Sequence, residues 1–339
     1  MSRDYPFVWV HLGGSKIPPY LRRSLENFSE LFQNQSLVLL VDEDKNLGNL
    51  QIKNLTVKKV EFIDPDWDTV KNTLGHDLNF RNEFWFNSLA RFKIIHMYMT
   101  SEDLGSLLHI ESDVTFTSDF PFQILKDLRQ VLAYPLQGDG QGIASVLHVG
   151  SREVLAEFLT FCSREVSENS KSTDMTILFN FLKHNPDKVV VMPTLPVEFE
   201  NGKKGSTLHA NTSQNIDLFG GVFDAISIGQ YLFGVDPRNH RGRKKLYWED
   251  KSHWVKPSKY KFEWSGNSLL AKRANFVTKV FSLHIHSKDP VAFTRDSLRK
   301  ELEARYKKSK TGGKNEIVFR VLLKSISISL RRRFEMKWK

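Results

Sequence analysis

Apolar residues recur along the first half of the chain in two alternating rhythms: short solid runs, and longer stretches with an apolar position every third or fourth residue. The solid runs, bounded by turn formers, predict buried strands, and the wider spacing predicts helices packed on them. Residues 7–12 make the first expected strand. Gly13-Gly14-Ser15 and Pro18-Pro19 then lead into a helix reaching about residue 33, with Tyr20, Leu21, Leu25, Phe28 and Phe32 along one side. Strands two and three fall at 36–41 and 57–63. Trp85, Leu89, Phe92, Ile95 and Met99, spaced by four, three, three and four, mark one face of a helix over 81–99 that feeds a strand at 106–110. Further strands are expected at 131–135, 143–149 and 189–192, with helices at 151–166 and 173–183. Strands alternating with helices are the sign of a sheet built from βα units, so the fold class expected is α/β.

Later segments are more polar. The glycine-containing stretch 198–214 predicts a mobile loop, 239–261 a basic and aromatic excursion, and 276–285 a last strand. Residues 294–310 read as a charged helix, 311–314 as a linker and 316–339 as a basic amphipathic tail.

Composition narrows the class without changing this picture. With 339 residues, 40% apolar and 26% charged, the chain has the balance of a globular protein able to bury a large core. Its one cysteine, Cys162, excludes a disulfide framework and any multi-cysteine metal cluster, and suits the reducing cytoplasm. No apolar run approaches the roughly 18 residues that cross a bilayer, and no basic segment precedes one, so neither a signal peptide nor a spanning helix is expected. Charge is divided unevenly. Residues 1–240 hold 22 Lys and Arg against 30 Asp and Glu, a net of −8, whereas residues 241–339 hold 27 against 9, a net of +18. A basic end on an acidic body suits a surface that meets phospholipid, nucleic acid or phosphorylated substrates. In the tail, Arg331, Arg332 and Arg333 stand beside Phe334, Met336 and Trp338. That combination predicts peripheral attachment to an anionic membrane surface on the cytoplasmic side, against the plainer reading of a solvated basic terminus.

Candidate chemistry concentrates in two places. In Leu107-Leu108-His109-Ile110-Glu111-Ser112-Asp113 a buried strand ends on two carboxylates, which is where a sheet opens into a ligand crevice. Positions 111 and 113 share a side in an extended stretch, and two such groups can hold a hard cation, Mn²⁺ or Mg²⁺, that neutralises a diphosphate. The plain alternative is a polar strand end capping the turn before Phe120. In Leu283-His284-Ile285-His286-Ser287-Lys288 the two histidines also share a side, followed by a compact cation. Either motif alone fits ordinary polar residues. Together they are what a metal–diphosphate site assembled from distant segments requires.

On these residues the chain resembles the GT-A class of nucleotide-sugar glycosyltransferases. It shares an opening strand and glycine turn, an arginine-bearing helix (Ala90-Arg91-Phe92-Lys93-Ile94) before an acidic strand end, and a late His and Lys. Glu111 departs from the first aspartate of a D-x-D motif, the usual glycine pair before the strand is reduced to Leu104-Gly105, and the His-to-Lys spacing is narrower than the family's. The resemblance covers residues 7–290. It implies a GT-A, Rossmann-like mixed central sheet flanked by helices, with a donor half over about 1–120, an acceptor half over about 121–290, and a basic helical extension at 291–339. It also implies metal-dependent transfer, with Mn²⁺ or Mg²⁺, from a UDP-sugar or similar nucleotide-sugar donor to a glycan, glycolipid, lipopolysaccharide or capsule-type acceptor. Asp113 would then hold metal with one or both of His284 and His286, His284 preferred. Val10, His11, Leu12, Gly13, Arg91, Glu111 and Lys288 would bind the donor, and Asp224 and Asp174 are the candidate bases. For the last two the local alternatives are a helix cap at Asp224 and a first-turn charge at Asp174.

Two other classes compete. Asp with His-x-His also builds metal-dependent phosphoesterases, although those draw on denser local motifs. Arg241, Arg243, Lys244, Lys245, Tyr247 and Trp248 would suit a nucleic-acid binder, but no zinc-finger, RNP or helix-turn-helix pattern accompanies them, so no nucleic-acid partner is expected.

Overall fold

A strand covered on both faces must be apolar at successive positions, and that requirement orders the first sheet. In the computed structural model, which describes residues 5–13, 16–42, 50–61, 65–81, 83–194, 212–236 and 249–293, β1 (Phe7–His11) and β2 (Leu37–Val41) are the solid apolar runs and lie side by side in parallel. β3 (Leu55–Lys59) sits at the edge, where exposed Lys59 blunts further pairing. β4 (Leu107–Ile110) pairs with β1 on the other side. Beyond it come β8 (Val146–Val149), β6 (Leu132–Gly138) and the short β7 (Gln141–Gly142), with β9 (Val189–Met192) parallel to β6. The sheet is thus mixed.

Alternation along β1 divides two cores. Phe7 and Trp9 point to α1 (Pro19–Leu31), where Phe28 meets both rings edge-on at 4.7 and 5.2 Å. Val8 points to the opposite face, packed with Leu89, Phe92 and Ile95 of α3 (Phe84–Ser101), on which α5 (Arg152–Glu168) and α6 (Asp174–His184) also lie. Truncating Phe28 to Ala would leave a cavity among the four rings of Phe7, Trp9, Phe32 and Phe116, at a cost of about 3–5 kcal/mol. The helix starts follow local chemistry. Ser151 Oγ accepts from Val154 N ahead of α5, and Thr173 with Thr176 forms a reciprocal capping box that fixes where α6 begins.

A second sheet is ordered β10 (Gly221–Phe223), β13 (Phe276–His284), β12 (Ser268–Arg273), β11 (Lys261–Ser265), and β5 (Val114–Phe116) pairs with the end of β13. The chain leaves the first sheet at Ile110, turns through Glu111-Ser112-Asp113 and enters the second sheet at Val114. That three-residue turn is the seam between the sheets.

Boundaries differ from the sequence reading in a few places. The third strand runs from 55 to 59 instead of 57 to 63, because the pairing of Leu37 with Leu55 sets its register. β5, β10, α2 (Pro65–Thr73), α4 (Phe122–Asp127) and the β11–β12 hairpin had no counterpart in the sequence reading. Most of the loop expected at 198–214, the first part of the excursion at 239–261, and everything expected after 293, including the tail, lie outside the described residues. Among the described residues no helix is long and apolar enough to cross a membrane.

Candidate active site

After β1 the chain adds β2 and β3 on one side, then returns to place β4 on the other. Neighbouring connections therefore diverge at the carboxyl ends of β1 and β4, which leaves a crevice there. A cleft of about 550 Å³ opens at this point, reached by Val10 from β1, by Glu111, Ser112 and Asp113 from the seam, and by His284, His286 and Lys288 from the end of β13.

The antiparallel register of β5 on β13 sets His284 opposite Val114, and Ile285 N donates to the Asp113 carbonyl at 2.7 Å. This brings the early and late motifs together. His284 Nε2 lies 3.2 Å from Asp113 Oδ1 and 3.6 Å from Glu111 Oε2, and Lys288 Nζ lies 3.3 Å from Asp113 Oδ2. Arg91, from α3, donates through one nitrogen to Glu111 and through the other to Asp174 Oδ2 at 2.6 Å, clamping the seam to the start of α6.

Burial and charge oppose each other here. Burial disfavours the ionised form of Asp113, but Lys288 and His284 outweigh it and hold the carboxyl well below the usual range. His284 is penalised by burial in the same way. Asp113 and Glu111 more than compensate and lift its imidazole to about 9. Burial also works against the Arg91 charge, and Glu111 and Asp174 outweigh it. Asp174 is pushed up by burial against the pull of Arg91.

Hydrogen bonding separates the two histidines. A carbonyl only accepts, so His284 Nδ1 carries a proton for Ala225 O at 2.7 Å, and its Nε2 is the atom presented to the carboxylates. His286 has the opposite arrangement. Its Nδ1 accepts from Asp236 N at 3.0 Å, so in the neutral ring Nε2 must carry the proton and has no lone pair for a cation. Of the two histidines offered for the metal, His284 turns Nε2 toward Asp113 and Glu111, whereas His286 is engaged by Asp236 N. Ligand atoms of Glu111, Asp113 and His284 all lie within 4.8 Å of one another. Two carboxylates and one imidazole form a hard, oxygen-rich donor set that fits Mn²⁺ or Mg²⁺.

The remaining expected residues are placed as follows. Val10 lines the cleft. His11 ends β1, with Nε2 3.3 Å from the Lys16 carbonyl, and Leu12 and Gly13 continue past it, where Gly13 N donates to Asp42 at 2.7 Å. Asp224 is not brought to the cleft. Only 2% exposed, its carboxylate accepts from the backbone of Ile228, Gly229 and His284 at 2.9, 2.7 and 3.0 Å. It joins the start of the helix Ser227–Phe233 to β13, which is the capping alternative and not a base facing substrate. Residues that sequence reasoning did not single out for function also line the cleft, among them Phe80, Phe84, Trp85, Gln137 and His253. None belongs to a motif with a fixed spacing, so no local signal marks them.

No protein-family model and no curated protein matches the chain. Solved structures similar to it include the galactosyltransferase LgtC in complex with donor and acceptor sugar analogues, at 14% identity and a TM-score of 0.41 over 61% of this chain and 83% of that one. Mouse xyloside xylosyltransferase 1 in its apo form is similar at 10% identity and 0.36, over 62% and 93% of the two chains. A glycosyltransferase involved in glycosylation of the major capsid of PBCV-1 is similar at 12% identity and 0.35, over 55% and 81%.

Proposed function

We propose that the protein transfers a sugar from a nucleotide-diphosphate donor, a UDP-sugar, to a glycan or glycolipid acceptor, lipopolysaccharide and capsule-type glycans included. One observation carries the reading: two carboxylates from the β4–β5 seam face an imidazole and an ammonium from the end of β13 across one cleft, at the crevice of an α/β sheet. Glu111, Asp113 and His284 would hold a divalent ion. When bound, it supplies positive charge against the donor diphosphate and its developing leaving-group charge.

The chain's own groups do the rest. Ala225 O fixes the His284 tautomer, and Arg91 fixes Glu111, so the donor set is oriented before substrate arrives. Lys288, 21% exposed at the side chain and already beside Asp113, pairs with the departing phosphate oxygens. Val10 and the strand end after it flank the nucleoside. Asp174 is the carboxylate at the cleft that remains a candidate for accepting the acceptor proton, since Asp224 is occupied by backbone donors. The basic tail at 316–339 holds the protein against an anionic membrane surface that presents the acceptor.

The test is calorimetric titration with UDP in Mn²⁺ and in chelator, followed by a nucleotide-sugar panel assayed with and without acceptors. Binding that needs the metal, and sugar release that acceptors redirect, support the reading. Equal UDP binding in chelator removes the metal, and phosphate release that no acceptor redirects makes the protein a phosphoesterase. For the tail, pelleting with phosphatidylserine vesicles should be lost when Arg331, Arg332 and Arg333 are changed to Glu.

A further inference from the structure

One wall of the cleft carries chemistry that the charged centre does not use. Phe80 and Phe84 are 38% and 37% exposed, and both line the cleft with Trp85. Large rings left partly in water forgo burial energy, so a cluster of them at a cleft marks a surface that something covers. The cluster is held in place. Trp85 stacks on Phe80 with ring planes 17° apart and on His76 with planes 24° apart. His76 Nε2 lies 3.1 Å from the Lys171 carbonyl and 3.2 Å from that of Ser172, which ties the stack to the loop before α6. Backbone at Arg81 and Glu83 is left-handed, with φ of 51° and 58°, a conformation that side chains other than glycine adopt at a cost and that clusters at ligand sites.

A second, independent observation lies on the same cleft. Gln137 and Gln230 line it at 6% and 3% exposure. Each leaves an amide atom, Gln137 Oε1 and Gln230 Nε2, with no hydrogen-bond partner among the described residues. Buried amide atoms are normally paired, and here one acceptor and one donor are left over. A hydroxyl both donates and accepts, so hydroxyl groups match this pair.

Flat rings suit the C–H faces of a pyranose, and neutral amides suit its hydroxyls. A diphosphate would call for cations instead: Arg91 and Lys288 stand at the charged centre, while Arg81, at the wall, lies over the Phe80 ring at 4.9 Å and 4.0 Å from Asp236. Phe84 precedes Arg91 by seven residues on α3, about 10 Å along the axis, so the aromatic wall stands beyond the charged centre. Asp250 also lines the cleft and would repel an anionic sugar. We infer that Phe80, Phe84 and Trp85, facing Gln137 and Gln230, form a subsite for an uncharged pyranose. The proposed transfer makes that sugar the acceptor, while its binding is independent of the transfer.

The test uses the full chain on an array of neutral oligosaccharides and of sialylated and glucuronylated ones, with tryptophan fluorescence titration of the strongest binders. Binding should be confined to neutral glycans and weaken at least tenfold in Phe84→Ala, a partly exposed site where the substitution leaves the core intact. Gln230→Glu, which keeps the shape and adds charge, should weaken it as much. UDP titration of Phe84→Ala is the control and should change less than twofold. Preference for acidic glycans, no glycan bound, or neutral binding unaffected by either substitution would overturn the subsite. A tenfold loss of UDP affinity in Phe84→Ala would overturn it too, by giving the wall to the nucleotide. If the wild type binds no UDP but does bind neutral glycans, the transferase reading fails and the sugar subsite stands.

Discussion

The two sheets contribute opposite halves of one centre. The first, a mixed sheet with helices packed on both faces, delivers Glu111 and Asp113 at the end of its β4 strand, with Arg91 from a helix packed on it. The second is a smaller sheet whose last strand is exposed at its start and buried at its end, and that buried end delivers His284 and Lys288. Neither sheet has a charge-balanced site of its own: separated, one would leave two carboxylates together and the other an imidazole and an ammonium. Function therefore depends on the seam, where three residues of turn join the sheets and Val114 pairs with His284. A centre divided this way is sensitive to anything that shifts one sheet against the other by a fraction of an ångström.

Removing the acidic half should have the largest effect. Asp113→Asn is expected to lower turnover by about 10³-fold or more, roughly 4 kcal/mol of transition-state stabilisation, with the circular dichroism melt still cooperative. Wild-type turnover, or a variant that does not fold, would sink the assignment. On the basic side, Lys288→Ala should lower kcat by about 10²-fold, roughly 2.7 kcal/mol, while the acceptor KM changes little. A change confined to KM would move Lys288 out of the chemical step.

The packing that aligns the halves can be broken without touching a charged group. A Cβ at Gly229 would stand 2.0 Å from the His284 carbonyl oxygen, so the helix Ser227–Phe233 must retreat from β13 in Gly229→Ala. Urea melts should show a loss of about 1–3 kcal/mol, and turnover should fall with it as His284 is displaced. Unchanged stability and turnover would mean that the seam tolerates movement.

A last expected effect is a pH dependence that arises in the first sheet. His148, in β8, accepts from Tyr5 Oη at 2.7 Å through Nδ1 and donates to the Leu128 carbonyl at 3.0 Å. Burial lowers its pKa to about 4, so the folded protein keeps it neutral while the unfolded chain protonates near 6.5. Its contribution is present in full above pH 6.5 and is lost as pH falls through about 4, an acid-side loss of up to ~3 kcal/mol. Urea melts at pH 7 and pH 4.5 should differ by more in the wild type than in His148→Leu. Equal differences would show that His148 is not the group responsible.

How much was legible follows the kind of order each region has. The solid runs at 37–41 and 107–110 and the three-to-four spacing in α3 are local patterns, and the structure has those elements where the patterns fall. The two hairpins that join β11, β12 and β13 were also locally written. Gly266-Asn267 and Ala274-Asn275 are two-residue loops with positive φ at Gly266 and Ala274, and Ser265 pairs with Ser268 across the first. Alternation flanking a Gly-Asn pair was the signal that would have found that hairpin.

Sequence by itself therefore determined the α/β class, the acidic strand end at 111–113, the His-x-His-Ser-Lys segment and the break between an acidic body and a basic end, because each depends on residue types at short spacing. Tertiary structure alone decided which histidine faces the carboxylates, since that rests on Ala225 O and Asp236 N, residues some 50 to 60 positions away in the chain. It alone turned Asp224 from a candidate base into a tie between helix and strand, and gathered three aromatic rings and two glutamines from three separate segments along one cleft. The physical reason is common to all three. A side chain's chemistry is set by the partner of its last free donor or lone pair, and in this fold those partners are supplied by strand register and sheet packing, which no short spacing encodes.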